Sequence, residues 1–149
     1  MPKRKTEDLK AKLKGALQDV VRYGGVGDEV LYTSFNRAFV QNGRWDYTRD
    51  GRPSFRAEGR TQISQQAQVW LGELTGCEDE AWSIVYNHRV PRDLDKRNLP
   101  GTYVYEFRFA LRARWAGRHP VMLHMQGAAW LNHDGSIVYL QMNQQTHTL

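Results

Sequence analysis

Residues 103–144 constrain the fold more than any other part of the chain. They read as three consecutive strands, 103–115, 121–131 and 137–144, joined by Ala116-Gly117-Arg118 and by Asn132-His133-Asp134-Gly135. Connections this short can only join antiparallel neighbours, and glycine and Asp-Gly supply the positive φ that tight hairpins require. A meander of this length needs a covered apolar face, so the rest of the chain has to supply a layer that packs on it.

Side-chain alternation divides that meander into two faces. In the first strand Tyr103, Tyr105, Phe107, Phe109, Leu111 and Trp115 lie on one side, and Glu106, Arg108, Arg112 and Arg114 on the other. A two-residue loop at Ala116-Gly117 sets Phe109 opposite His124, Phe107 opposite Gln126 and Tyr103 opposite Trp130. A four-residue loop keeps those faces, and a three-residue loop reverses them. Counting through Asp134-Gly135 places Tyr139, Gln141 and Asn143 with Trp130, Ala128 and Gln126. The expectation is one aromatic face carrying His124 and Gln126, and an aliphatic face of Leu123, Met125, Ala129, Leu131, Val138, Leu140 and Met142. Two such faces need two covers: helices would supply one, and a second subunit or a ligand the other.

The preceding residues supply the helices. Leu9, Leu13, Leu17, Val20 and Val21 recur at helical spacing from Thr6 to Tyr23, with Thr6 as the expected N-cap. Gly24-Gly25-Val26-Gly27 ends this helix; with no strand before it and no Lys-Ser/Thr after it, it is no phosphate loop. A second helix is expected from Asp28 to Gln41, stopped by Asn42-Gly43. A short strand follows at 44–48, with Trp45 and Tyr47 on one face and Asp46 on the other, and Asp50-Gly51 marks a turn. A third helix carries Ile63, Ala67, Trp70, Leu71 and Leu74 and closes at Gly76. A strand at 81–90 puts Trp82, Ile84, Tyr86 and His88 on one face, before a polar loop at 92–100.

The 149 residues fit a single domain, long enough to bury roughly 70% of its unfolded surface. No segment approaches the ~18 apolar residues of a membrane span, and no signal-peptide core follows the basic start. Residues 1–5 are expected to be a flexible basic tail. The single Cys77 forbids an intrachain disulfide, and the expected location is the cytoplasm. Acidic Glu78, Asp79 and Glu80 beside Cys77 disfavour a thiolate nucleophile. The histidines lack zinc-ligand spacing, so neither a metal nor a cofactor is expected. Part of the net charge of +5 is a lysine run near the N-terminus, which suits a solvated helix face better than a nucleic-acid site.

The order of elements and three local patterns resemble the NTF2-like superfamily, which includes ketosteroid isomerase, scytalone dehydratase and the SnoaL-like polyketide cyclases. The patterns are Phe55-Arg56-Ala57-Glu58-Gly59-Arg60 before a helix, Trp115-Ala116-Gly117-Arg118-His119-Pro120-Val121, and Asn132-His133-Asp134-Gly135-Ser136-Ile137. The resemblance implies an α+β cone with three N-terminal helices packed on a curved, mainly antiparallel sheet. It also implies an apolar ligand between helices and sheet, and a homodimer through the outer sheet face. Counting from Gly59 puts the isomerase's general-base aspartate at Asp50, and counting from Phe39 puts it near Asp46 or Tyr47. Its second acid falls on Gly127, which argues against steroid isomerase chemistry.

His88 and His124 are the candidate proton carriers, each on an aromatic strand face where imidazole can exchange a proton near neutral pH. The competing reading is a core histidine bonded to backbone. Asp46 is a candidate base whose pKa an apolar pocket would raise, and Tyr105 a candidate oxyanion donor. Trp45, Tyr47, Trp70, Tyr86, Phe107, Phe109, Gln126 and Trp130 are the candidate substrate-binding residues. The function expected is a small acid–base cyclase, dehydratase or isomerase acting on a hydrophobic polyketide- or terpenoid-like molecule. The alternatives are a non-catalytic ligand-binding or protein-interaction module and a basic nucleic-acid binder.

Overall fold

The computed structural model describes residues 3–23, 35, 37–72, 74–87, 103–115 and 119–149, without the side chains of residues 20, 22, 23 and 70–72. Its elements are α1 (Lys3–Tyr23), β1 (Phe39–Arg49), β2 (Arg52–Glu58), α2 (Gly59–Gly72), β3 (Leu74–Asn87), β4 (Tyr103–Trp115), β5 (His119–Leu131) and β6 (Ile137–Thr148). The six strands form one sheet in the order β2-β1-β6-β5-β4-β3. Every pairing is antiparallel except β1 with β6, which is parallel. The class is therefore α+β with a mixed, curved sheet, and two long helices stand among the described residues where three were expected.

Most of the segment expected as a second helix lies outside the described residues. Its last turn does not: Phe39, Val40 and Gln41 already belong to β1, which runs through Asn42-Gly43 instead of stopping there. Asp50 and Gly51 both take positive φ, 52° and 82°, as a two-residue hairpin between Arg49 and Arg52 demands. The hairpin's return strand β2 is an element that the sequence pattern did not reveal. In α2, the Gln62 side chain accepts a hydrogen bond from the Glu58 amide at 2.9 Å and so caps the first turn. The helix ends at Gly72, and Leu74 and Gly76 belong to β3, which starts seven residues before the expected 81.

Leu9, Leu13, Leu17 and Val21 of α1 are all buried, spaced to form one stripe against the sheet. The helix begins at Lys3, so residues 3–5 are not a tail and Thr6 is not a cap; the Thr6 carbonyl instead accepts the Tyr105 hydroxyl at 3.2 Å. The β5–β6 turn docks on the same helix, with Lys12 Nζ donating to the Asp134 carbonyl at 2.6 Å. Lys5 and Lys14 lie over the rings of Tyr103 and Trp82. Part of the lysine run therefore packs locally.

Register settles the faces. Trp115 pairs with His119, which makes the connection three residues long, so Phe107 faces Gly127 and Phe109 faces Met125. This is the outcome that reverses the expected faces. The aromatic side chains of β4 share the inner face with Leu123, Met125, Ala129 and Leu131, all buried in one core cluster. The aliphatic residues assigned to a partner subunit, Val138 excepted, are part of the core itself. The β5–β6 register matches the expected one, with Trp130 opposite Tyr139 and Gln126 opposite Asn143, but on the outer face.

Candidate active site

The inner face is walled by rings from four strands. On β1 and β2, Trp45 and Tyr47 are fully buried, and Phe55 stacks on Tyr47 with ring centroids 5.1 Å apart. On β3 and β4, Trp82 stacks on Phe109 at 4.2 Å, and Tyr86 tilts against Tyr105 at 5.4 Å. Pairs at these separations add about 1 kcal/mol each beyond the area they bury.

Three polar groupings interrupt this wall. Tyr47 donates its hydroxyl to Gln144 Oε1, and Gln144 Nε2 donates to Thr146 Oγ1 at 2.9 Å. Gln144 is one of two buried polar residues among those described, the other being Ser64 on α2. Tyr105 donates to the Thr6 carbonyl, and its phenol is pushed up to about 12 by burial first and then by Tyr86, Glu7 and Tyr103. The Asp79 carboxylate accepts from Trp82 Nε1 at 2.6 Å and from Gln18 Nε2 of α1 at 2.9 Å. Asp79 pairs with Leu111 in the ladder and so lies on the inner face.

Asp79 was not among the residues that the sequence singled out for chemistry. Two β-bulges, between Thr75 and Glu78 and between Glu80 and Ser83, shift the alternation of β3 on either side of it. Each holds a residue of positive φ, Gly76 at 61° and Ala81 at 57°. Gly76 is legible as a bulge signal, but Ala81 gives none, so plain alternation fails to find the carboxylate.

Of the four residues put forward for catalysis, Tyr105 alone is found on the inner face. His124 pairs with Ala110 and Gln145, lies exposed on the outer face, and meets the His147 ring edge-on at 4.8 Å. Asp46 is also on the outer face, beside Tyr139 and Gln141. It accepts from Arg44 at 2.7 Å and 3.1 Å, from Arg56 at 3.2 Å and from Tyr139 at 2.5 Å. Burial pushes its carboxyl up, but the hydrogen bonds from Arg44 and Tyr139 and the charges of Arg44 and Arg56 outweigh it. The result lies below the usual carboxylate range, opposite to the shift expected of an apolar pocket. His88 lies outside the described residues.

The substrate-binding set divides in the same way. Trp45, Tyr47, Phe107 and Phe109 are buried on the inner face, and Tyr86 is half-buried there. Gln126 pairs with Arg108 and is exposed on the outer face, at a concavity of about 530 Å³ shared with Gln141 and Asn143. Trp130 is buried, but in a separate outer cluster with Val104 and Tyr139. The Trp70 side chain is outside the described set. Burial pushes the Cys77 thiol up, which makes it a poor nucleophile.

No protein-family model matches the chain, and no curated protein matches it. Solved structures do. A putative scytalone dehydratase from Novosphingobium aromaticivorans superposes with a TM-score of 0.61 at 11% identity, covering 99% of this chain and 89% of that one. A phenazine biosynthesis-related protein from Pseudomonas aeruginosa gives 0.58 at 15% identity, with 92% and 77% covered. SalBIII, an epoxide hydrolase/cyclase-like enzyme of pyran ring formation in the polyether salinomycin, gives 0.56 at 13% identity, with 93% and 92% covered. Likeness at such identities speaks for architecture and leaves function to the site. Together with the helices packed on a curved mixed sheet, it shows that this chain has the NTF2-like cone fold.

Proposed function

We propose that the protein is a small acid–base enzyme of the cyclase, dehydratase or isomerase kind, working without a cofactor on a hydrophobic molecule held between the helices and the inner sheet face. One observation carries the reading: the Asp79 carboxylate, fixed by Trp82 Nε1 and Gln18 Nε2, stands beside the Trp82–Phe109 stack. A carboxylate oriented by two N–H donors on an aromatic wall is suited to take a proton from a carbon next to a carbonyl. A protonated phenol is suited to donate to the oxyanion that forms, and Tyr105, held neutral far above pH 7, is that donor in this reading once its single proton turns from the Thr6 carbonyl to the oxyanion. His88, next in sequence after β3, remains a candidate second proton carrier. His124 and Asp46, on the outer face, take no part. The names of the structural neighbours, a dehydratase and a cyclase-like enzyme among them, support the class of reaction.

The test uses 2-tetralone as a generic apolar ketone in D₂O, with α-proton exchange followed by NMR. The expected result is exchange faster than in buffer alone, lost in Asp79→Asn while the melting temperature stays within a few degrees. Binding without accelerated exchange favours the second reading, a ligand-binding module. That reading has its own support, since the Tyr47, Tyr105 and Gln144 polar groups are already bonded within the protein.

The outer face remains the proposed dimer surface, but its chemistry is now that of His124, Gln126, Gln141, Asn143 and Gln145. A polar contact of this kind implies a weak dimer, because permanent homodimer interfaces are more apolar. Sedimentation over a concentration series is expected to show reversible association, and a monomer throughout removes the proposal. No helix among the described residues is long and apolar enough to cross a membrane. A cytoplasmic location stays part of the proposal.

A further inference from the structure

Arg49 closes β1 and shares the inner face with Gln144, its partner in the parallel ladder with β6. Its guanidinium lies 4.7 Å from the centroid of the Trp115 ring. Yet β1 and β4 are separated in the sheet by β6 and β5. Three strand steps amount to about 14 Å at ordinary strand spacing. The two side chains therefore reach toward each other over the intervening strands and bar one end of the inner face. On that face, next to Arg49, are the Gln144 carboxamide and the Tyr47 hydroxyl.

Stacking occupies the flat face of a guanidinium and leaves its edge, which carries the N–H donors, open for in-plane hydrogen bonds. Arg49 Nε is buried and has no hydrogen-bond partner among the described residues. The carboxylate ion pairs found among those residues involve Arg44, Arg56 and Arg112, not Arg49. A buried donor on a cation, left without an acceptor, is an unfavourable arrangement that native proteins rarely keep without a reason. The group that best completes it is planar and anionic, and binds in the plane of the fork.

We infer that this end of the inner face binds the carboxylate of an apolar or aromatic acid, with the edge of Arg49 receiving the carboxylate and the inner rings receiving the body. The assignment rests on the interior pocket proposed above and narrows its ligand class to acids. An apolar wall binds neutral and acidic ligands alike, so the preference between them belongs to Arg49.

The test is calorimetric titration with naphthalene-2-carboxylate and naphthalene-2-carboxamide, which share a body and differ in charge. The unmodified protein is expected to bind the carboxylate at least about tenfold tighter, a step worth one charge-assisted contact. Arg49→Met is expected to abolish the preference while leaving the carboxamide affinity within about twofold, and Arg49→Lys to restore it in part. Equal affinities for the two compounds overturn the carboxylate site and leave the interior pocket standing. A preference that survives Arg49→Met also overturns the site. Failure of both compounds to bind overturns site and pocket together. The ligand pair decides on the unmodified protein alone, even where Arg49→Met fails to fold.

Discussion

The Tyr139 hydroxyl donates to Asp46 Oδ2 at 2.5 Å, across the one parallel pairing of the sheet. Arg44 holds the same carboxylate oxygen and lies over the Tyr139 ring at 5.2 Å, so three side chains lock β1 to β6 on the outer face. Asp46 is held below the usual carboxylate range, and a depressed aspartate stabilises the fold above its unfolded value. That contribution is present above about pH 4 and is lost as pH falls through the lower folded value. Asp46→Asn is expected to cost about 2 kcal/mol at pH 7. Urea melts should show the gap closing as the pH is lowered toward 3. A gap independent of pH argues that packing, not charge, makes the difference.

Tyr105 gives the opposite pH signature. Its folded value, about 12, lies above the ordinary 10, so the folded state keeps a proton that the unfolded chain releases. Its stabilising share is full below pH 10 and disappears between about 10 and 12. Tyr105→Phe is expected to lose about 1 kcal/mol at neutral pH from the bond to the Thr6 carbonyl. The variant should also be less sensitive to alkali than the parent, as chemical melts across pH 9–11 will show. Equal alkaline sensitivity would place the titration elsewhere.

Gly127 sits where β5 and β6 approach each other with no room for a side chain. A Cβ there would lie 1.9 Å from the Gln141 carbonyl oxygen and 2.9 Å from its carbon, both backbone atoms. Neither can swing away as a side-chain tip would, so Gly127→Ala forces the strands apart. The expected cost is about 3 kcal/mol or more, at the upper end for overpacking. Thermal melting checks it, and a loss under 1 kcal/mol would mean that the sheet relaxes there freely.

Much of this fold was legible because local chemistry and long-range packing agreed. Leu9, Leu13 and Leu17 mark a helix face, and Asp134-Gly135 marks a hairpin, with Gly135 at φ 89°. The β4 alternation from Tyr103 to Trp115 also held throughout. The site was less legible because it depends on parity. One residue more or less between Trp115 and the next strand moves His124 and Gln126 through the sheet, and Ala116-Gly117-Arg118 suits either loop length. Asp79 was hidden by two bulges of which one centres on an alanine. Arg49 and Trp115 are far apart in sequence and in strand order, and only curvature brings them together.

His124 supplies the sharpest test of that parity. Its side chain is exposed on the outer face beside His147, away from Phe107 and Phe109. Exposed substitutions outside special contacts change stability by about 0.5 kcal/mol or less. His124→Ala is therefore expected to melt within a few degrees of the parent and to leave 2-tetralone exchange and naphthalene-2-carboxylate affinity unchanged. Asp79→Asn and Arg49→Met should each impair one of those two measurements. A loss of exchange in His124→Ala at unchanged stability would place the chemistry on the outer face, in the concavity of about 550 Å³ that His124 lines with Arg108, Gln126 and Gln145. The inner-face assignment of the active site would then fall with it.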